Sequence, residues 1–275
     1  MTFSQFLRRV AFRLRGRVLT MRPQGERRGR VLLSHDTTAF FMSPERRGGH
    51  AHYWTAYYIA ESFQKRGYEV DIIAWDNSSF TPRKEYDFFI DIHGNMARLA
   101  PLLNPGCIKI LQCSNAHWLF QNASEYARCL DVQRRRNKTV SPRRLLPPAP
   151  NSIDYADYVT YFGNEFTSGT YRFAGKPMHS TPIPSAHTFP SPANKNFAAA
   201  RKNFVWFGSA GAVHKGLDLV LEAFAAMPEH NLTVCGKWYE DDFADAYHHE
   251  LNDLPNIKTY RYIDPQGPDF KAMID

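Results

Sequence analysis

In the stretch WFGSAGAVHKGLDLVLEAF, Trp206 to Phe224, the residue types follow an order that suits anion binding. Phe204 to Phe207 form a short continuous apolar run, which predicts a buried parallel strand. Gly208, Ser209, Gly211, His214, Lys215 and Gly216 then fall in a small-residue loop. Beyond it Leu217, Val220, Leu221, Phe224 and Ala225 recur at helical spacing and predict one buried helix face. The first N–H groups of a helix lack partners and carry about half a positive charge, so a lysine there costs stability. An anion in the same place offsets that cost. Strand, glycine loop and helix start form the usual cradle for phosphate, and Lys215 is its predicted charged ligand.

A second glycine loop, Gly48-Gly49-His50, precedes a helix in the first half of the chain. Ligands of open α/β sheets collect at the carboxyl ends of strands, so both glycine loops are candidates, as is His93 at the end of YDFFIDIH. Asn164-Glu165 also follows a strand; it reads as an ordinary N-cap pair, with an acceptor contact as the alternative. Neither glycine loop has the G-x-G-x-x-G spacing of a dinucleotide site or the G-x-x-x-x-G-K-[ST] order of a P-loop. His248-His249-Glu250 lacks the H-E-x-x-H order of a zinc site and reads as helix surface. The four cysteines show no C-x-x-C spacing, which suits a reducing compartment. No metal and no cofactor is expected.

The elements that must position these residues alternate between strand and helix. RVLLS (30–34) leads to a helix over about 50–66, with Ala56, Ile59, Ala60 and Phe63 on its buried face. YEVDIIAW, YDFFIDIHG and CIKILQC read as strands, followed by the loop SNAHW and a basic helix over about 125–137 that ends in a solvated QRRRNK. PRRLLPPAP is a proline-rich connector, after which DYADYVTYFGN and MHSTPIP read as strands. Residues 185–202 hold two prolines and read as a hinge. The theme then repeats: strand 203–208, helix 215–227, strand NLTVCG, helix 241–254, strand IKTYRY and a helix opening in PDFKAMID. Alternation of this kind predicts βαβ units with parallel sheets, and the class is α/β. The expected division is an extension over 1–29, a Rossmann-like domain over 30–190, a linker over 191–202 and a second, incomplete Rossmann-like domain over 203–275. Glycine loops in both domains suggest a ligand that bridges a cleft.

The net charge of +7 is a property of the N-terminus. The first thirty residues hold nine arginines against one glutamate, which leaves the remainder near −1. A nucleic-acid enzyme more often spreads its cations over the folded body, so that class is demoted and no nucleic-acid partner is expected. No stretch approaches the ~20 apolar residues of a membrane span, and arginines interrupt any signal-peptide core. Phe3, Phe6, Leu7, Val10, Leu14 and Val18 instead form one helical stripe with most arginines off it. Residues 1–22 are therefore expected to lie on an anionic membrane surface, the alternative being a disordered basic extension. The expected location is cytoplasmic, peripheral on the inner face of the membrane.

Four segments, in order, resemble GT-B glycosyltransferases of the retaining family-four group: RRGGHAHYWTAYYIAESFQKRGYEVDIIAW, ADYVTYFGNEFTSGTY, STPIPSAHTF and FVWFGSAGAVHKGLDLVLEAF. The resemblance implies a nucleotide-diphosphate sugar held by the second domain and a glycan or lipid-linked acceptor held by the first. Lys215 and the N–H groups of 208–212 would contact the diphosphate. Gly48 and Gly49 would approach the donor, and Tyr262 and Ile263 would meet the nucleotide base through their main chain. His117, after the fourth strand, falls where relatives place a functional histidine near the acceptor and is the candidate catalytic residue. His50, His93, Asn164 and Glu165 are further acceptor-side candidates.

Two departures accompany the resemblance. Ser209 stands where many relatives carry an arginine that shares the diphosphate, leaving Ser209 and His214 to compensate. The family's paired glutamates lie past Asp275, so the chain is expected to end within the donor domain. The predicted activity is metal-independent sugar transfer with retention, in cell-surface polysaccharide or glycoconjugate synthesis. The alternative is a non-catalytic nucleotide-sugar or glycan-binding module, with nucleic-acid binding by the arginine tail a remote third.

Overall fold

A computed structural model describes residues 18–47, 51–148, 152–183, 195–261, 263–264 and 267–274. It divides into two compact units, Met1–Trp118 with Pro147–Phe189 and Leu119–Leu146 with Pro190–Asp275. The class is α/β, as the alternation predicts.

Unit 1 is built on a seven-stranded sheet of order β1-β3-β2-β4-β5-β6-β7. Its strands are β1 (Val18–Met21), β2 (Gly29–His35), β3 (Tyr68–Ala74), β4 (Phe88–Asp91), β5 (Ile108–Cys113), β6 (Tyr158–Phe162) and β7 (Met178–Thr181). All neighbours are parallel except β1 with β3. Val31, Leu33, Val70, Ile72 and Ile90 pack on one face with helix α1 (Ala51–Lys65), while Leu32, Ile73, Phe89, Leu111 and Val159 pack on the other with α2 (Asn95–Leu99). A sheet covered on both faces requires apolar side chains in both alternating sets, which explains the unbroken runs in β2 and β3. Ala56 and Ala60 of α1 are fully buried and Ile59 and Phe63 pack beside them, as the helical period predicts.

The N-terminal segment differs from the expected surface helix where it is described. Val18 pairs with Ile73 in β1, and Thr20 Oγ1 donates 2.6 Å to the buried Asp71 carboxylate. Arg22, Arg27 and Arg30 stand 3.5–3.9 Å from Glu69. Edge pairing and a buried acidic cluster outcompete a free amphipathic helix for residues 18–22; residues 1–17 lie outside the described set.

Unit 2 has a three-stranded parallel sheet of order β10-β9-β8, from β8 (Asn203–Gly208), β9 (Asn231–Gly236) and β10 (Ile257–Tyr260). Helix α3 (Trp118–Arg136) was expected to begin near residue 125 and to belong to the first domain. It starts seven residues earlier, and Cys129, Val132 and the following Val140 join the core of Trp206, Leu217, Leu221, Val234, Phe243 and Tyr247. The basic end is likewise not simply solvated. Arg135 Nη2 lies 2.6 Å from Asp218 and its Nε 3.0 Å from Glu222, and Arg136 lies 2.7 Å from Glu250. Charge complementarity between α3 and helices α5 (Leu217–Ala225) and α7 (His248–Asn252) places this segment. The expected helix over 241–254 is two, α6 (Asp241–Ala246) and α7, broken at Tyr247, which is fully buried.

Strand β8 also departs from expectation. Only Trp206 is buried; Phe204, Val205 and Phe207 are 46%, 41% and 43% exposed. A parallel strand is buried on both faces only when flanked and covered, and β8 is an edge strand with one neighbour among the described residues.

Candidate functional site

At the carboxyl end of β8 the chain turns through residues 209–216 before α5. Gly208 lies in register with Gly236 of β9, where φ is +133° and a Cβ would sit 1.8 Å from the Gly208 carbonyl oxygen. The two strands therefore close tightly just where the loop leaves the sheet. Gly211 has φ +95° and Gly216 has φ +75°, conformations that favour glycine. Ala212 and Val213 are buried and anchor the loop, and the N–H groups of Lys215 and Leu217 donate back to Gly211 and Ala212 at 2.9 and 3.0 Å.

Two N–H groups of this loop converge on an anion of the chain itself. Gly211 donates 2.6 Å to Glu240 Oε1, and Ala212 donates at 3.4 Å to Oε2. Consecutive backbone donors that straddle a carboxylate form the concave arrangement that receives phosphate oxygens. Lys215 is exposed, its carbonyl accepts from the Trp206 indole at 3.2 Å, and its ammonium has no ion pair among the described residues. Ser209 is exposed beside it.

The expected reason for that lysine changes. Helix α5 starts at Leu217, so Lys215 belongs to the turn before it. The positive end of the helix is met from inside by Asp218, which is fully buried. Burial pushes its carboxyl above the ordinary range, against the pull of Arg128 and Arg135. Arg128 Nη2 reaches both carboxylate oxygens at 2.6 and 2.8 Å. The helix dipole is thus satisfied without a ligand, and the sign that an anion belongs here is the loop's own N–H pair.

His214 is also placed differently from its expected role. Its Nδ1 lies 2.9 Å from Glu125 Oε2, and Glu125 Oε1 accepts the N–H groups of Arg143 and Arg144 at 2.9 and 3.1 Å. The histidine braces the segment after α3 to the loop, which leaves its Nδ1 unable to replace a phosphate-binding arginine. Instead the segment brings Arg144, which the connector reading missed. The Arg144 backbone is held by Glu125 and by Gln121, which donates to its carbonyl at 2.9 Å. Its stem crosses Gly211, where an added Cβ would meet Cγ at 2.6 Å. Arg143 pairs with Asp242 at 2.9 Å, whereas the exposed Arg144 guanidinium has no ion pair among the described residues. Arg144 had no local signal: only the burial of Glu125 and α3 brings it to the loop.

Ile263, past β10, offers its main-chain N–H to the Cys235 sulfur, and β9 separates its strand from β8. Tyr262, Gly48, Gly49 and His50 lie outside the described residues.

The acceptor-side candidates line the carboxyl edge of the sheet in unit 1. His93 follows β4, His117 follows β5 and Asn164-Glu165 follows β6, three adjacent strands. His93 meets Trp75 in a tilted ring contact at 5.3 Å, and burial lowers its pKa. His117 donates its N–H to Thr170 Oγ1 at 2.9 Å and meets Tyr171 and Phe173 edge-on at 5.4 and 5.0 Å. Burial lowers its pKa as well, so the imidazole is neutral at neutral pH and able to accept a proton. Asn164 caps α4 (Glu165–Gly169) by accepting the Phe166 N–H at 3.1 Å. Glu165 occupies the first turn of that helix, exposed, so this pair has a local structural role.

Two further groups mark the same edge. The strand order crosses from β3 over β2 to β4, so the ends of β2 and β4 flank a topological switch point, the usual place for a ligand. His35 ends β2, fully buried; its Nδ1 accepts the Asp36 N–H at 2.7 Å and its Nε2 has no partner among the described residues. Burial, with His52 nearby, lowers its pKa to about 4. Asp91 ends β4 and accepts the Met96 N–H at 2.7 Å, and burial raises its carboxyl to about 6. The apolar look of RVLLSH and FFID hid both as strand residues; only the strand order marks them.

Among the described residues no group of three or more His, Cys, Asp or Glu side chains could hold a metal ion, and no helix is long and apolar enough to cross a membrane. No protein-family model matches the chain, and no curated protein matches it. One similar solved structure is a crystal structure of Anabaena Alr3699/HepE in complex with UDP and glucose, 11% identical with a TM-score of 0.41. The match covers 86% of this chain and 70% of that one.

Proposed function

We propose that the chain is a GT-B glycosyltransferase that takes a nucleotide-diphosphate sugar on the loop after β8. The observation that carries this reading is the pair of loop N–H groups already seated on a carboxylate, with Lys215 and Arg144 exposed beside them. Two donors and two cations match the charge that develops on a departing diphosphate, and they do without a metal what a bound cation does elsewhere. The acceptor, a glycan or lipid-linked glycan, belongs at the carboxyl edge of the unit 1 sheet, where His117 presents a neutral imidazole. The bond from the anomeric carbon to the phosphate oxygen breaks as the bond to the acceptor oxygen forms on the same face. The acceptor proton passes to the departing diphosphate, so no protein nucleophile is required. The place of work is the cytoplasmic side of an anionic membrane, in cell-surface polysaccharide or glycoconjugate synthesis.

Titration calorimetry with UDP, ADP and GDP tests the donor assignment. One of them binds, and binding survives excess chelator. Affinity that collapses with chelator and returns with Mg²⁺ overturns the metal-free site. Binding without transfer to any acceptor glycan returns the chain to the binding-module reading.

A further inference from the structure

Glu240 is an unusual neighbour for a phosphate loop. It stands at the N-cap of α6, yet its carboxylate makes no capping bond to its own helix. It reaches back to the N–H groups of Gly211 and Ala212. Asp242, two residues on, is spent differently, on the Ser141 N–H at 2.7 Å and on Arg143 at 2.9 Å. Of the three acids in Glu240-Asp241-Asp242, Glu240 alone is turned into the loop through bonds to its backbone donors. No ion pair ties its carboxylate to a cation among the described residues. What holds it in place is the same pair of donors that a phosphate would use.

We propose that Glu240 sets the affinity threshold of the anion site, as a tethered competitor that a ligand must displace. The inference rests on the proposed donor site. A carboxylate attached to the chain is present at high effective concentration, so a free monoanion competes poorly for two N–H groups. A diphosphate gains more: besides the N–H pair it engages the exposed Lys215 and Arg144 and removes a negative charge from between them and itself. Glu240 therefore lowers the affinity of every anion that takes the N–H pair by a common factor. Only an anion that also engages Lys215 and Arg144, as a diphosphate does, overcomes that threshold at low concentration.

The test compares wild type with Glu240→Gln, which keeps the shape and removes the charge. Inorganic pyrophosphate and orthophosphate are titrated into each by calorimetry. The variant is expected to bind pyrophosphate roughly tenfold more tightly, equivalent to 1.4 kcal/mol, and to bind orthophosphate more tightly by a similar factor. Unchanged or weaker pyrophosphate binding by a folded variant overturns the proposal and makes Glu240 a brace between two loops. Should the variant not fold, the wild type decides. The carboxyl carbon resonance of Glu240 moves to the position of a solvated glutamate on saturation with pyrophosphate if the proposal holds. A resonance that stays while the Gly211 and Ala212 amides move overturns it. Nucleoside diphosphates separate this result from the functional reading. If pyrophosphate binding tightens in the variant but no nucleoside adds affinity, the nucleotide-sugar assignment fails and the competitor role stands.

Discussion

The two units handle buried charge in different ways. In unit 1 two polar groups at the strand ends, His35 and Asp91, are fully buried with no ion pair among the described residues, and burial lowers the pKa of the first and raises that of the second. In unit 2 the charges remain and are matched one against another. Asp218, Glu222 and Glu250 face Arg128, Arg135 and Arg136, while Lys215 and Arg144 are left exposed. A large sheet covered on both faces can remove a titratable group from water, and desolvation then decides its charge. In unit 2 the fully buried Asp218 is pushed up by burial as well, but it has Arg128 and Arg135 against it, so the arginines of α3 pair what that core encloses. Unpaired burial makes unit 1 the dry side, and ion pairing makes unit 2 the ionic one.

The largest expected effect breaks the ionic side. Arg128→Ala removes one of two arginines from a carboxylate that is fully buried. Loss of one partner of a buried pair typically costs about 3–5 kcal/mol, because the remaining charge is left inadequately matched. Urea denaturation should show a loss near the lower figure, since Arg135 remains, and diphosphate binding should fall with it. A loss under about 1 kcal/mol means that the pair is solvated and the contrast between the edges is false.

The dry side is tested by pH. Asp91 titrates near 6 in the folded chain against an ordinary 3.8, so its contribution to stability is present below 3.8 and lost as pH rises through 6. His35 titrates near 4 against 6.5, so its contribution is present above 6.5 and lost as pH falls through 4. Each shift is worth about 3 kcal/mol, and between pH 4 and 6 the two run in opposite directions. These two contributions nearly cancel in the wild type. Asp91→Asn should lose stability on acidification over that range relative to wild type, and His35→Gln should gain it. Parallel slopes for the two variants would remove the claim that this edge is dry.

Much of this was legible as sequence, and the limits have physical causes. NLTVCG is a strand residue for residue, and α1 buries the predicted face, because apolar runs and helical periods are local signals. Gly208, Gly211 and Gly216 do mark a tight loop with Lys215 on it. Burial of β8 was over-read because an apolar run does not say how many neighbours a strand has. Glu240 and Arg144 were missed since each reaches the loop from another segment, one after β9 and one after α3. The placement of α3 depends on pairing three arginines with acids over 80 residues away, which no window of sequence contains.

On the ionic edge Lys215→Ala carries the next effect. A hydrogen bond to a charged group contributes about 1.5–3 kcal/mol, so nucleoside diphosphate affinity should fall roughly 10- to 150-fold. The melting temperature should hold, because the ammonium has no ion pair among the described residues. A stable variant with unchanged affinity sinks the loop as the donor site.

The smallest effect makes the finest distinction. Arg144 and Arg143 are adjacent, and both have their N–H groups on Glu125, but only Arg143 spends its guanidinium on an acid, Asp242. If exposed cations on this edge exist to meet a ligand, Arg144→Ala should weaken diphosphate binding about fivefold, near 1 kcal/mol for a solvent-screened contact. The effect should shrink at high salt. Arg143→Ala should leave affinity close to wild type and lower stability slightly. Arg144→Lys should recover part of the loss, since charge survives while the planar fork does not. Equal effects from the two alanine variants would mean that the segment acts only by bracing the loop through Glu125 and His214. The second cation would then have to come from elsewhere in the chain.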